Sequence, residues 1–147
     1  LAGQHIEAPQ LNADQQQAVH NITEAMHQFK AWLVHGITGS GKTEVYIRLI
    51  QHVLQDSAAQ VLVLVPEINL TPQLEARFRS RLPNSPLVSL HSNLSDSERL
   101  HHWQLAQSGA AKIVIGTRLS IFTPLPDLRL IIIDEEHDGS YKQQDSM

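Results

Sequence analysis

Residues 36–43 of the sequence, GITGSGKT, combine glycines, a lysine and a threonine at a spacing that is typical of phosphate binding. They match G-x-x-x-x-G-K-[ST] at every fixed position, between a predicted strand and a predicted helix. The glycines allow backbone N–H groups to point at phosphate oxygens, and the helix N-terminus adds its positive dipole end. We predict that Lys42 reaches the β- and γ-phosphates and that the Thr43 hydroxyl binds Mg²⁺. The other predicted nucleotide-binding residues of this loop are Gly36, Thr38, Gly39, Ser40 and Gly41.

A second group of candidate catalytic residues follows the apolar run in IIIDEEH. A buried strand that ends in Asp134 places this carboxylate at the carboxyl edge of a parallel sheet, where ligands bind. Asp134 would share Mg²⁺ with Thr43, and Glu135 would orient or deprotonate the attacking water. With Lys42, this pair predicts hydrolysis of a phosphate bond rather than binding alone. The alternatives are a glycine-rich turn at residues 36–43 and a solvated strand end at residues 134–136.

Apolar runs and helical periodicities alternate along the chain, which predicts an α/β fold with a mostly parallel sheet and helices on both faces. We expect strands at residues 31–36, 61–65, 87–91, 112–116 and 130–134. Helices are expected at residues 12–29, 42–54, 72–82 and 95–109. Their predicted N-caps are Asn12 with Gln15, Thr71 before a proline, and Ser95 with Glu98. Residues 1–10 are interpreted as a linker or tail, and residues 11–147 as one lobe that continues beyond this chain.

The composition excludes several classes of protein. The 147 residues are 41% hydrophobic and contain no cysteine, so we expect one globular unit without disulfides, a cysteine zinc site or a thiol nucleophile. Nine histidines lack metal-ligand spacing, so no zinc is expected in this segment. The net charge of −4 argues against a protein that coats nucleic acid, and no apolar run predicts a membrane span. The basic run RFRSR at residues 77–81 suits a helix C-terminus, with a DNA or partner contact as the alternative.

Five segments of the chain resemble, in order and spacing, the first RecA-like lobe of the PriA family of superfamily 2 DNA helicases. The resemblance extends from about Leu11 to the C-terminus, and DEEH followed by SYKQ is much more specific than the two phosphate-binding motifs alone. The segments are GITGSGKTEVY (36–46), VPEINLTPQ (65–73), LHSNLSDSER (90–99), IVIGTRLSIF (113–122) and IIIDEEHDGSYKQ (131–143).

This resemblance implies a 3′→5′ DNA helicase that uses ATP and Mg²⁺ to restart stalled replication forks in the bacterial cytoplasm. Single-stranded and forked DNA, other primosome proteins and flanking domains of the same protein would be its partners. Phosphoryl transfer needs an arginine that the superfamily supplies from a second helicase lobe. The chain by itself is therefore expected to bind nucleotide weakly and to hydrolyse it poorly.

The resemblance also assigns roles to individual residues. Gln15 would contact the adenine edge, with helix capping as the alternative, and His137 would couple the nucleotide site to the DNA-facing motifs. The residues that would contact DNA phosphates are Thr71, Gly116, Thr117 and Arg118. For these residues the alternatives are helix capping and, for Arg118, a surface salt bridge.

The two DNA-facing segments depart from the family pattern at Asn69, where a glycine is expected, and at Leu119, where a small residue is expected. Two rival functions remain open from the sequence. One is another superfamily 2 motor, such as a duplex translocase. The other is a non-catalytic interaction module, against which the intact Lys42 and Glu135 argue.

Overall fold

A parallel β-sheet forms the centre of the computed structural model, which describes residues 9–26, 32–37 and 42–135. All four strand pairs are parallel, and the strand order across the sheet is β1-β5-β2-β4-β3. The predicted α/β class with a parallel sheet is therefore confirmed. The five strands are β1 (Trp32–Ile37), β2 (Gln60–Leu64), β3 (Leu87–Leu90), β4 (Ile113–Gly116) and β5 (Leu128–Glu135).

Within the described ranges, four α-helices connect or precede these strands, close to their predicted positions. They are α1 (Ala13–Met26), α2 (Lys42–Val53), α3 (Pro72–Arg81) and α4 (Asp96–Gln107). Two short 3₁₀ turns, Glu67–Asn69 and Arg118–Phe122, follow β2 and β4. The predicted caps are confirmed: the Thr71 hydroxyl accepts the Leu74 N–H, and Ser95 and Glu98 form a reciprocal capping box.

The two faces of the sheet are covered by different helices. On one face, Val61, Val63 and other alternate strand residues pack with the buried side of α2 and with Phe78 of α3. On the other face, Leu62 and Leu64 pack with Ala106 of α4. This alternation explains why β2 is an unbroken apolar run, since both of its faces are buried.

The edge at which β1 and β5 end brings distant segments of the sequence together. Gly36 is the register partner of Asp134, and Ile37 is the partner of Glu135. On the other side of β5, Leu64 of β2 pairs with both Ile133 and Gly116. The carboxyl ends of β1, β2 and β4 therefore all lie at the same edge of the sheet as the end of β5.

A buried charge cluster joins α2 to α3. The Glu44 side chain is 4% exposed and accepts hydrogen bonds from Arg48 and from Arg81, whose side chain is 5% exposed. The third contributor, Arg77, approaches the Glu44 carboxylate at 3.8 Å. Arg79 donates to the Leu87 carbonyl oxygen at 3.2 Å. The basic run at residues 77–81 thus serves mainly to attach the end of α3 to its neighbours.

Gln60 at the start of β2 is fully buried, and each polar atom of its amide has a partner. Its amide nitrogen donates to the carbonyl oxygens of Ala106 at 2.9 Å and Ala111 at 2.8 Å, and its Oε1 accepts the Asp127 N–H at 3.0 Å. Gln60 therefore connects β2 to the end of α4 and to the segment before β5.

We expect Gln60→Glu to lower the free energy of unfolding by about 2–3 kcal/mol, because a carboxylate cannot donate to the two buried carbonyls. Urea denaturation of the chain measures this change. The control is Gln104→Glu, which makes the same substitution at an exposed position on α4. Equal stability of the two variants would contradict the role assigned to the buried amide.

Candidate functional site

The predicted phosphate loop lies between the end of β1 and the start of α2. Gly36 belongs to β1, and Lys42 and Thr43 form the first turn of α2, so the predicted strand–loop–helix context is confirmed. Lys42 is exposed and Thr43 is half-buried. Thr38, Gly39, Ser40 and Gly41 lie outside the described residues. Binding of phosphate by this loop stays a prediction.

Asp134 lies near the end of β5, beside the start of the phosphate loop, and is 8% exposed. The hydroxyl of Tyr46 in α2 donates a hydrogen bond to Asp134 Oδ1 at 2.8 Å. Burial, this hydrogen bond and the carboxylate charge raise the pKa of Tyr46 far above its usual value, so the phenol keeps its proton. The sequence analysis did not identify Tyr46, although it follows Thr43 by one helical turn.

A cavity of about 350 Å³ opens at the carboxyl ends of β2 and β5. The predicted catalytic pair, Asp134 and Glu135, and two predicted DNA-contacting residues, Thr117 and Arg118, all line it. Its remaining lining residues are Leu64, Val65, Pro66, Glu67 and Ile133. β1, which ends at the start of the predicted phosphate loop, lies on one side of β5, and β2 and β4 lie on the other. Asp134 and Glu135 therefore lie between the phosphate loop and the predicted DNA-contacting segment.

The turn that follows β4 is built around a close approach at Gly116. A β-carbon at this position would lie 1.9 Å from the Ser120 hydroxyl oxygen, so only glycine fits without a shift of the turn. The Gly116 carbonyl oxygen accepts the Val65 N–H at 2.9 Å, and the Thr117 carbonyl oxygen accepts the Ser120 N–H at 2.8 Å. These bonds hold the turn against the end of β2 and leave the Arg118 side chain exposed.

Arg118 forms no ion pair with a carboxylate among the described residues, so the surface salt bridge that we considered as the alternative is not seen there. Beside it, Leu119 and Phe122 are 78% and 80% exposed. These two side chains and Trp103 line a groove next to the cavity. The departure from the family pattern at Leu119 thus lies on an exposed surface and does not alter the core.

Two predicted contact residues act as helix caps in the structure. The Gln15 Oε1 accepts the Asn12 N–H at 2.9 Å, while the Asn12 Oδ1 accepts the Gln15 N–H at 2.8 Å. Thr71 caps α3 through Leu74 N–H at 3.2 Å. The capping alternatives are therefore observed for both residues, and neither residue lines the cavity beside Asp134. Their contacts with adenine and with DNA phosphate stay predictions.

His137 and Glu136 lie outside the described residues, as do residues 1–8 of the predicted linker. In the part of the chain that the structure describes, no helix combines the length and the hydropathy that a bilayer span requires.

Comparison with known proteins gives a family match and several similar proteins. Residues 8–147 match the family described as type III restriction enzyme, res subunit. The chain is 53% identical over 137 residues to the replication restart protein PriA of Haemophilus influenzae, covering 92% of this chain and 18% of that protein. It is 51% identical over 139 residues to the PriA protein of Synechocystis sp., covering 93% of this chain and 16% of that protein. The chain thus spans less than a fifth of the length of these relatives.

Among solved structures, the chain resembles the Sulfolobus solfataricus SWI2/SNF2 ATPase core in complex with dsDNA. The TM-score is 0.61 at 12% sequence identity, and the match covers 98% of this chain and 36% of that chain. At this level of identity the likeness concerns the fold alone, and it confirms the predicted RecA-like architecture.

Proposed function

We infer the function of this chain from its family, since it belongs to the family described as type III restriction enzyme, res subunit, and corresponds to the first helicase lobe of PriA. We propose that it is the ATP-binding motor lobe of a 3′→5′ DNA helicase that acts in replication restart. The observation that carries the proposal is the pairing of Gly36 with Asp134. This pairing puts the start of the predicted phosphate-binding loop beside the acidic end of β5. In this proposal residues 11–147 form the lobe, and residues 1–10 are a linker or tail.

The residues at this edge fit a nucleoside triphosphate with Mg²⁺. Lys42 lies at the N-terminus of α2, where the helix dipole and free N–H groups favour an anion. Thr43 and Asp134 provide a hydroxyl and a carboxylate oxygen, the hard ligands that Mg²⁺ prefers. When bound, the ion offsets charge on the transferred phosphoryl group. Glu135, half-buried at the end of β5, is the candidate to orient the attacking water and accept its proton.

We infer that this site is half of the working centre. Its carboxylates and one exposed cation, Arg118, line the same cavity, and Arg118 belongs to the predicted DNA-contacting segment. Transfer of the phosphoryl group still needs an arginine that offsets its charge, and a second lobe would provide this arginine. The proposal therefore includes a longer protein with a second lobe and flanking domains, consistent with the length of the relatives.

The proposed DNA contacts are Thr71, Gly116, Thr117 and Arg118, which would bind backbone phosphates of single-stranded or forked DNA without reading the sequence. Thr117 and Arg118 share a cavity with Asp134 and Glu135, which supports a short route between DNA and the nucleotide. His137 is proposed to take part in this coupling. We also propose that the protein binds other primosome proteins and acts in the bacterial cytoplasm.

The test is titration of the chain with a fluorescent ATP analogue and Mg²⁺, beside Lys42→Ala. We expect at least about tenfold weaker binding in the variant, because the lysine contact with phosphate is charge-assisted. The control is Lys112→Ala, since Lys112 precedes β4 at the opposite edge of the sheet. Equal affinity of Lys42→Ala and the unmodified chain would contradict the assigned site.

ATP turnover, followed in parallel with and without single-stranded DNA, tests the two-lobe mechanism. We expect negligible turnover from the chain alone, because the arginine of the second lobe is missing. Strong DNA-stimulated turnover would contradict the proposal that a second lobe completes the centre.

The second candidate function is a duplex translocase, because the same fold occurs in a SWI2/SNF2 ATPase core that was solved with dsDNA. Forked substrates labelled on one strand separate the two candidates in the complete protein. Release of the labelled strand supports the helicase, whereas ATP-driven movement along an intact duplex without release supports the translocase.

A further inference from the structure

The hydrogen bond between Tyr46 and Asp134 joins two elements that are 88 positions apart in the sequence. Tyr46 is 3% exposed and Asp134 is 8% exposed, so water competes little for either group. The bond is charge-assisted, because a neutral hydroxyl donates to a carboxylate, and such bonds are stronger than those between two neutral groups. It therefore holds Asp134 Oδ1 toward α2.

The position of the Tyr46 hydroxyl is fixed by the packing of α2. Ile47, Leu49 and Ile50 of the same helix are fully buried against the sheet. Tyr46 follows Thr43 by three residues, so both side chains lie on the same side of α2. The helix that begins with the proposed phosphate-binding and Mg²⁺-binding residues thus also provides a hydrogen-bond donor to the proposed Mg²⁺ carboxylate.

We propose that Tyr46 is a positioning residue that fixes the rotation of the Asp134 carboxylate and so prepares it to bind Mg²⁺ together with Thr43. This inference rests on the proposed function, which supplies the metal and the nucleotide. Without the hydroxyl, the carboxylate would lose this restraint on its rotation, and binding of the metal would have to restore it. Outer-shell hydrogen bonds of this kind typically change metal affinity by about 10–100-fold.

The competing explanation is that a buried tyrosine hydroxyl needs some acceptor and that Asp134 is the acceptor at hand. In that case Tyr46 would contribute to stability alone. The two explanations differ in the effect of Mg²⁺, because a stabilising contact does not alter how much the metal improves nucleotide binding.

The test is Tyr46→Phe in the complete protein, which removes the hydroxyl and keeps the ring. Affinity for a non-hydrolysable ATP analogue is measured with Mg²⁺ and with EDTA. We expect the ratio of the two affinities to fall by about tenfold or more, while the affinity in EDTA stays unchanged. ATP turnover should require a correspondingly higher Mg²⁺ concentration and should largely recover at saturating Mg²⁺.

The matched control is Ile50→Val, which loosens the packing of the same helix without touching a polar group. It should lower the melting temperature and leave the Mg²⁺ ratio unchanged. An unchanged ratio in Tyr46→Phe would overturn the proposal, whatever its effect on melting. A failure of the proposed function would be recognised in a different measurement, the titration with the ATP analogue. The unmodified protein would then bind the analogue no better than Lys42→Ala does, and this result would contradict both proposals.

Discussion

Glu135→Gln is expected to lower DNA-stimulated ATP turnover of the complete protein by about 10²–10⁴-fold. The amide of glutamine matches the carboxylate in size but cannot accept a proton from the attacking water. Glu135 lines the cavity beside Asp134 at the end of β5, and Lys42 and Thr43 belong to a different element. Nucleotide affinity should therefore stay close to that of the unmodified protein. Steady-state turnover and analogue titration measure the two effects separately.

The matched control for this variant is Glu67→Gln, because Glu67 lines the same cavity but is exposed and belongs to the turn after β2. Its carboxylate accepts a hydrogen bond from Ser92 at 3.1 Å, and this bond survives with a glutamine oxygen. We expect turnover to change little. Retention of turnover in Glu135→Gln, or an equal loss in Glu67→Gln, would show that Glu135 is not the general base.

Glu44→Ala is expected to lower the free energy of unfolding by about 3–5 kcal/mol, because it leaves the guanidinium of Arg81 buried without a counter-charge. Both side chains are nearly inaccessible to water, at 4% and 5% exposure. Urea denaturation of the chain measures the loss. Replacing both residues, with Glu44→Leu and Arg81→Leu, should recover much of it, since an apolar pair leaves no unpaired charge.

The control for Glu44→Ala is Glu75→Ala, which removes the carboxylate of a more exposed pair. Arg79 lies 3.7 Å from Glu75 with 53% of its side chain exposed, so this pair should contribute less than about 1 kcal/mol. A similar loss in both variants would contradict the special role of the buried cluster.

The pH dependence of stability provides a second measurement on Glu44. Burial alone would raise the pKa of Glu44, but the hydrogen bonds and charges of Arg81 and Arg48 outweigh it and lower the pKa below its ordinary value of 4.5. The carboxylate therefore stabilises the fold above this value, and the stabilisation is lost as the pH falls through the lower pKa of the folded state. The stability gap between the unmodified chain and Glu44→Gln should accordingly shrink as the pH falls below 4.5. A gap that stays constant with pH would contradict this origin.

Local sequence was sufficient for most of the elements. Ser95 and Glu98 predict the start of α4 because both bonds of the capping box form within one turn, and Gly109, with a φ of 84°, follows its end. The strand–loop–helix context of residues 36–43 and the position of Asp134 at a strand end were also predicted from motif spacing. The start of β5 was missed by two residues, since Arg129 interrupts the apolar pattern and lies where the pairing with β2 is irregular, between Leu128 and Leu130.

The set of elements and the residue types at their ends could therefore be predicted, because caps, periodicity and turns depend on neighbours within a few positions. The tertiary structure decided which ends meet. β5, the last strand in the described part of the chain, inserts between β1 and β2, and this order puts Gly36 beside Asp134 and lets Thr117 share a cavity with Glu135. The contacts of Tyr46 with Asp134 and of Glu44 with Arg81 span 88 and 37 positions. No local pattern encodes such pairs, because each partner is selected by the packing of whole elements around a common core.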